Sequence, residues 1–335
     1  MHVNTKTAAW GTGPAADTHG IVGRSRAVAE VIRLIDMVAA TRSTVLITGE
    51  TGTGKELVAR AVHMRSAQRD MPFVRVNCAA IPDTLLESEL FGHSKGAFTS
   101  AISDRRGKFA LAHRGSILLD EIGTVSEGLQ GKLLRVLQER EIEPLGAERS
   151  VTVDVRVIAA TNRDLRQLVA GGRFQSDLFY RLHVVPIAVP PLRERPDDVP
   201  LLVQHFVEKH ARRSGKAIGG VDEGVMDLLQ AHDWPGNVRE LEHAIERAIV
   251  FTDGQTIRRE AIVLSSAVAA HEMGLPSLKL RQNVEWVERE TIRRALKVSP
   301  LKRQAAKLMG ITPRALSHYL SKYRHSDESL VSGPA

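Results

Sequence analysis

A single cysteine, Cys78, stands in 335 residues. That excludes any disulfide within the chain and fits a reducing compartment. No stretch is long and apolar enough to span a bilayer as a helix. The first twenty residues lack an apolar core of signal-peptide length and read as a disordered lead. Internal repeats are missing too. The isolated histidines His63, His93 and His113 show no zinc-ligand spacing, and histidines of this sort are more often surface residues. These absences predict a cytoplasmic protein with no membrane partner.

What is present suits a globular chain of two or three domains, with 43% apolar residues to build cores. Charge is unevenly spread. Between Lys279 and Arg324 twelve lysines and arginines face three glutamates, a local +9 within a total of +7, so the rest carries −2. A basic segment on a near-neutral body points to a polyanion-binding module, although a solvated helical face has the same count.

From Ile21 to about Val189, short apolar runs alternate with helical stretches. The runs are Thr44–Thr48, Phe73–Asn77, Ser116–Asp120 and Val155–Ala159. Such runs predict an α/β fold with a parallel sheet buried on both faces. Pro190, Pro191 and Pro196 mark a change to helix-only sequence through about Val263. The expected domains are a lead at 1–20, an α/β subdomain at 21–192, a helical subdomain at 193–264, a linker at 265–282, a compact helical domain at 283–325 and a disordered tail at 326–335.

Directly after the first run come Gly49, Glu50, Thr51, Gly52, Thr53, Gly54 and Lys55, and a helical stretch follows. Glycines let backbone N–H groups curl round phosphates, the helix N-terminus favours anions, and a lysine there reaches the β- and γ-phosphates. Glu56 stands where a magnesium-touching Ser or Thr is usual, so the metal must be held elsewhere. Ser116–Asp120 is an apolar strand ending in two acids. Asp120 would hold Mg²⁺, and Glu121 would polarise the attacking water. Asn77 and Asn162 end two further strands, as turn residues or as γ-phosphate sensors.

The segments GETGTGKE, LLESELFGHSKGAFTSA, GSILLDEI, VRVIAATNRDL, VPPLRER and WPGNVRELEHAIERA occur in this order. Together they resemble the AAA+ domain of the bacterial enhancer-binding proteins, the sigma-54-dependent transcriptional activators. The resemblance runs from Ile21 to about Val263, with a tail similar to a Fis-type helix-turn-helix. It implies a homo-oligomeric ring, hexamer or heptamer, with ATP and Mg²⁺ between subunits. In that family a glutamate at the Glu56 position is usual. Asn77 matches a switch asparagine coupled to Glu121, Asn162 the first sensor, and Arg239 the second sensor in the lid. A helix-surface ion pair with a neighbouring glutamate is the weaker alternative for Arg239.

Two departures stand out. Of two trans-acting arginine positions, Arg181 keeps one, while Gln175 occupies the other and brings no charge to a developing anion. Arg173 is a weaker candidate. The loop that contacts sigma-54 reads Gly96, Ala97, Phe98, Thr99, Ser100 and Ala101, with Ser100 in place of a glycine. Phe98 is expected to be exposed.

In the tail, Trp286–Leu296 has helical spacing, Lys302–Met309 makes a second helix ended by Gly310, and Thr312 caps a third with Pro313 at its first position. This is the helix-turn-helix plan. Arg314, Ser317 and His318 are candidates for base edges, and Lys302, Arg303, Lys307 and Lys322 for phosphates. The alternative is a dimerisation bundle with a basic surface; the charge, with Ala305, Ala306 and Gly310 permitting close helix packing, favours DNA. The expected partners are sigma-54 RNA polymerase holoenzyme, double-stranded DNA at an upstream activator site, and further copies of the chain. No sensory domain has room before Ile21, so control is expected from a separate regulatory protein, from expression, or not at all. Two rivals remain: a sequence-specific DNA-binding regulator that binds ATP without sigma-54 coupling, and an AAA+ remodeller of some other protein.

Overall fold

The computed structural model describes residues 20–98, 101–264, 280–299 and 301–323. The expected lead except Gly20, the expected tail, most of the expected linker, and Thr99 and Ser100 lie outside the described residues. The chain divides into two compact units, residues 1–264 and 265–335.

Unit one is organised by a five-stranded sheet: β1 (Val45–Thr48), β2 (Phe73–Asn77), β3 (Ser116–Asp120), β4 (Arg156–Thr161) and β5 (Val185–Ala188). Their spatial order is β2-β3-β4-β1-β5, and every pairing is parallel. Side chains alternate across each strand. Val45, Ile47, Leu118, Ile158 and Ala160 pack on one face with α1 (Arg26–Ala39) and α2 (Lys55–Met64). Leu46, Ile117, Leu119, Val157 and Ala159 pack on the other. There the cover comes from α3 (Asp83–Phe91), α4 (Lys108–Leu111), α5 (Glu127–Glu139), α6 (Leu165–Ala170) and α7 (Ser176–Leu182).

The fifth strand was not legible as one, because Pro186 interrupts it and prolines follow at 190 and 191. β5 pairs only with β1, and an edge strand tolerates a residue with no N–H. The fourth strand runs to Thr161, two residues beyond the expected end.

A helical layer follows from α8 (Val199–Ser214), α9 (Glu223–Ala231) and α10 (Asn237–Phe251). It buries its own core around Leu202, Phe206, Leu229, Trp234, Leu241 and Ile245. The region is not helix-only: Gly220–Val221 pairs in parallel with Thr256–Ile257.

Unit two is a three-helix cluster of α11 (Leu280–Val298), α12 (Lys302–Leu308) and α13 (Pro313–Tyr323). Ile292, Ala295, Ala305, Ala306, Leu316 and Tyr323 form its core, and small alanines on α12 let the helices approach closely. α11 begins inside the stretch read as a linker, since nothing after Pro276 obstructs a helix.

Candidate functional site

Parallel pairing brings the C-terminal strand ends to one edge, with Thr48 beside Thr161 and Asn77 beside Asp120. The chain leaves β1 and returns at β2, three places across the sheet, so the crevice beyond that edge is where a ligand fits such a topology. The Gly49–Gly54 turn sits here. Gly52 and Gly54 have φ of 81° and 101°, backbone that side-chain-bearing residues rarely adopt. Gly54 precedes α2 with no side-chain cap, and while the Leu57 N–H donates to the Gly54 carbonyl at 3.0 Å, the N–H groups of Lys55 and Glu56 have no described partner and are left for an anion. Lys55 is only 7% exposed, and its Nζ donates to the carbonyls of Gly49 (2.9 Å) and Glu50 (3.1 Å). Burial pushes the ammonium below its ordinary value, against the pull of Glu121 and Asp120.

Asp120 and Glu121 stand at the end of β3. One Asp120 oxygen accepts the Glu121 N–H at 3.0 Å. Burial first, and the Glu121 charge next, raise the Asp120 carboxyl above the usual range. A half-buried carboxylate with so few partners suits a cation, and hard oxygen donors suit magnesium. Glu121 adopts φ 55° and accepts the Asn162 N–H at 3.4 Å. Asn162 also donates to Thr51 Oγ1 at 2.9 Å, tying the end of β4 to the phosphate turn.

Asn77 does something different. Its side-chain oxygen accepts from the N–H groups of Ala79 (3.0 Å) and Ala80 (3.2 Å), an Asx turn, and no described hydrogen bond joins it to Glu121. Glu56 pairs with Arg75 and faces solvent. Cys78 is buried, and its thiol is pushed up to about 12 by burial and by Asp120, which disfavours the thiolate.

A cavity of about 340 Å³ opens beside the turn, lined by Ile21, Val22, Leu57, Pro190, Arg195 and Phe206 among others. Its size and apolar walls fit a flat aromatic base. No motif signalled it, because its walls come from the entry to α1, the start of α2 and the helical layer. Arg195 donates from its Nη2 to the Thr53 carbonyl at 3.2 Å, and its Nε is buried without a partner.

The helical layer reaches the phosphate turn through the first turn of α10, joined by the segment after β5. Arg239 donates its backbone N–H to the Gly52 carbonyl at 3.3 Å. Its exposed guanidinium has no described partner; the neighbouring Glu240 accepts from the Gly236 N–H instead. Arg193 binds Glu50 through two nitrogens at 2.9 and 2.6 Å. Asn237 reaches the same carboxylate at 3.0 Å. Both residues lie in segments that carry the family resemblance, yet nothing local in the sequence gave either a role at the site.

Arg173 and Arg181 are exposed, and no described hydrogen bond or ion pair joins their side chains to the phosphate turn, Asp120 or Glu121. The Arg181 Nε donates to the Leu137 carbonyl at 3.3 Å. Gln175 starts α7 knitted to α5: its N–H donates to Gln130 Oε1 (2.7 Å) and its amide to the Glu127 carbonyl (3.3 Å).

The Gly96–Ala101 loop is closed at its base by Gly96 N–H on the Ala101 carbonyl, at 2.9 Å. Phe98 was expected to be exposed and is half-buried instead, edge-on to the His93 ring at 4.9 Å. His93 in turn bonds Ser88 Oγ at 2.7 Å. His63 also departs from the surface placement: it is 2% exposed, bonded to Ser116 Oγ at 3.0 Å and stacked on Phe73. Helical spacing on α2 turns it into the sheet. His113 is exposed.

In unit two, Gly310 turns the chain with φ 67°, and Thr312 Oγ1 accepts the Ala315 N–H at 3.2 Å to cap α13. Lys302, Arg303, Lys307, Arg314, Ser317, His318 and Lys322 are all exposed. Two of them are engaged. Ser317 Oγ donates to the Pro313 carbonyl at 3.0 Å, and Lys322 pairs with Glu288 at 2.9 Å.

Residues 21–188 match the family described as the Sigma-54 interaction domain, and residues 193–273 match the AAA+ ATPase lid domain. The DNA-binding transcriptional activator HyfR of Escherichia coli (strain K12) is 57% identical over 237 residues, which cover 71% of this chain and 35% of HyfR. The transcriptional regulatory protein ZraR of the same organism is 48% identical over 308 residues, covering 92% of this chain and 69% of ZraR. The crystal structure of NtrX from Brucella abortus in complex with ADP superposes with a TM-score of 0.70 at 35% identity, covering 91% of this chain and 69% of NtrX.

Proposed function

Because the chain belongs to the sigma-54-dependent transcriptional activators, with their AAA+ P-loop fold and helical lid, we propose that it hydrolyses ATP to convert a closed sigma-54 RNA polymerase complex into an open one. The observation that carries this reading is the meeting of Lys55, Asp120, Glu121 and Asn162 at one sheet edge, in a chain that also has the Phe98 loop.

The residues fit a nucleotide. The cavity beside Ile21 and Leu57 takes the base, and the uncapped N–H groups after Gly54 take the phosphates with Lys55. Magnesium, held by Asp120, would offset charge on the β- and γ-phosphates. Glu121 orients the attacking water, and Asn162 reports the γ-phosphate from the far side of the turn. Arg239 meets the phosphates from the lid. Arg181 makes no described contact with its own chain's site, which supports a role on the nucleotide of a neighbouring copy in a ring of six or seven. Gln175 adds no charge there and is already bonded to α5.

The loop from Gly96 to Ala101 is the contact with sigma-54. Release of Phe98 from His93 lets the loop reach the partner. Unit two binds duplex DNA upstream of the promoter as a Fis-type helix-turn-helix, with α13 in the major groove. Arg314 and His318 read base edges, and Lys302, Arg303 and Lys307 meet phosphates. Ser317 must leave the Pro313 carbonyl to take part.

The test is ATP-dependent open-complex formation on a sigma-54 promoter that carries this protein's binding site. Opening should require hydrolysis and vanish in Glu121→Gln. DNA binding without opening would overturn the reading in favour of a DNA-binding regulator that binds ATP, the outcome that Gln175 favours.

A further inference from the structure

A fully buried side chain fastens the phosphate turn to the lid, and the chemistry above does not use it. Asn237 is 0% exposed and opens α10 with φ 55°, a left-handed conformation that asparagine tolerates better than most residues. Its amide nitrogen donates to Glu50 Oε2 at 3.0 Å and to the Thr51 carbonyl at 3.1 Å. Its amide oxygen accepts the Leu192 N–H at 2.8 Å. One asparagine therefore joins the phosphate turn, the segment after β5 and the first turn of α10.

Arg193 completes the cluster by gripping Glu50 with two nitrogens. The paired Arg193 and the Asn237 amide hold the Glu50 carboxyl below its ordinary range, so it stays ionised. An unpaired carboxylate in the phosphate turn would repel an incoming triphosphate. Contact at this point is also tight: a Cβ at Gly52 would collide with the Gly236 carbonyl oxygen and come within 3.2 Å of the Arg239 Cβ. Arg239 lies two residues beyond Asn237, on the turn that the cluster clamps.

We propose that Glu50, Arg193 and Asn237 form a positioning unit that locks the phosphate turn to the lid and so sets the reach of Arg239 to the phosphates. None of the three need touch the reacting atoms. Their effect runs through Arg239, since a guanidinium displaced by about 1 Å loses much of its value in a pre-arranged site. The inference rests on the ATPase reading.

The test compares Asn237→Ala, Arg193→Ala and Arg239→Ala in the full chain with the two double variants that include Arg239→Ala. The readouts are ATPase KM and kcat, affinity for a fluorescent non-hydrolysable ATP analogue, and melting temperature. Each positioning variant should lower kcat/KM about tenfold or more, and neither should lower it further once Arg239 is gone. Losses that multiply in the doubles, or single variants with unchanged kinetics, overturn the proposal. Arg193 is partly exposed, so Arg193→Ala carries the test if Asn237→Ala fails to fold. If the wild type binds the analogue but does not hydrolyse ATP, the ATPase reading falls, and the same comparison in affinity still decides the positioning unit. A wild type that does not bind the analogue overturns both.

Discussion

At Asp120 the fold holds a carboxyl that takes up a proton more readily than it does in the unfolded chain, because burial and the neighbouring Glu121 both oppose its charge. The sign follows from linkage. A raised carboxyl pKa means that the folded state binds more protons, so stability falls as pH rises through the window between the unfolded and folded values. Above that window the full cost is present. Asp120→Asn should therefore raise the melting temperature of the nucleotide-free protein by a few degrees at pH 7, while abolishing hydrolysis. Below about pH 3 the gain should disappear, since the wild-type carboxyl is then protonated in both states. Melting curves of the two proteins across pH check this; an unchanged or lowered melting temperature at pH 7 contradicts it. The residue was legible in the sequence from its place at a strand end, but its electrostatic cost was not. That cost depends on burial under elements distant along the chain.

At the scale of the element, α1 begins where it does because of a residue far downstream. Asp198 is 0% exposed and accepts from the Arg24 N–H at 2.7 Å, the Ser25 N–H at 2.8 Å and the Ser25 hydroxyl at 2.6 Å. Ser25 in turn caps α1 by accepting the Val28 N–H. The same carboxylate favours the charge of Arg195, which burial otherwise opposes. Asp198→Ala should cost about 3 kcal/mol, chiefly from part-buried donors left without the charged acceptor they share. Urea unfolding of the full chain measures it, and a loss under about 1 kcal/mol would contradict the assignment. Helix starts with local caps were readable in the sequence, as at Thr312 with Pro313. Ser25 is a local cap too, but its anchoring was not readable, since Asp198 lies 173 residues from it.

For the whole molecule, charge pattern alone suggested a basic, polyanion-binding module, and the structure sorts its cations. Lys302, Arg303 and Lys307 are exposed, with no described ion pair, whereas Lys322 is committed to Glu288 and lies 4.7 Å from the centre of the Tyr323 ring. With three phosphate contacts per bound unit, log K should fall with log salt at a slope of about −2.7, and Lys322→Gln should leave it unchanged. Titrations of full-length protein on its site at several salt concentrations read the slope. A value near −3.6 that returns to about −2.7 in Lys322→Gln would mean that DNA draws Lys322 away from Glu288.

The sequence by itself determined the features whose chemistry is contiguous in the chain. The phosphate turn between strand and helix, the acids at the end of β3 and the capped start of α13 each need only neighbouring backbone to take shape. It also carried the family resemblance, because those short segments keep their order. Tertiary structure alone decided the rest. Phe98 rests against His93, His63 is sealed beneath the sheet, β5 is a strand despite its proline, and Asn77 turns its oxygen to its own backbone. The clearest case is the meeting of Glu50 with Arg193 and Asn237 across 143 and 187 residues. No local propensity encodes that contact. It exists because the parallel sheet delivers the chain to the foot of the lid, and the lid's core folds back over the phosphate turn.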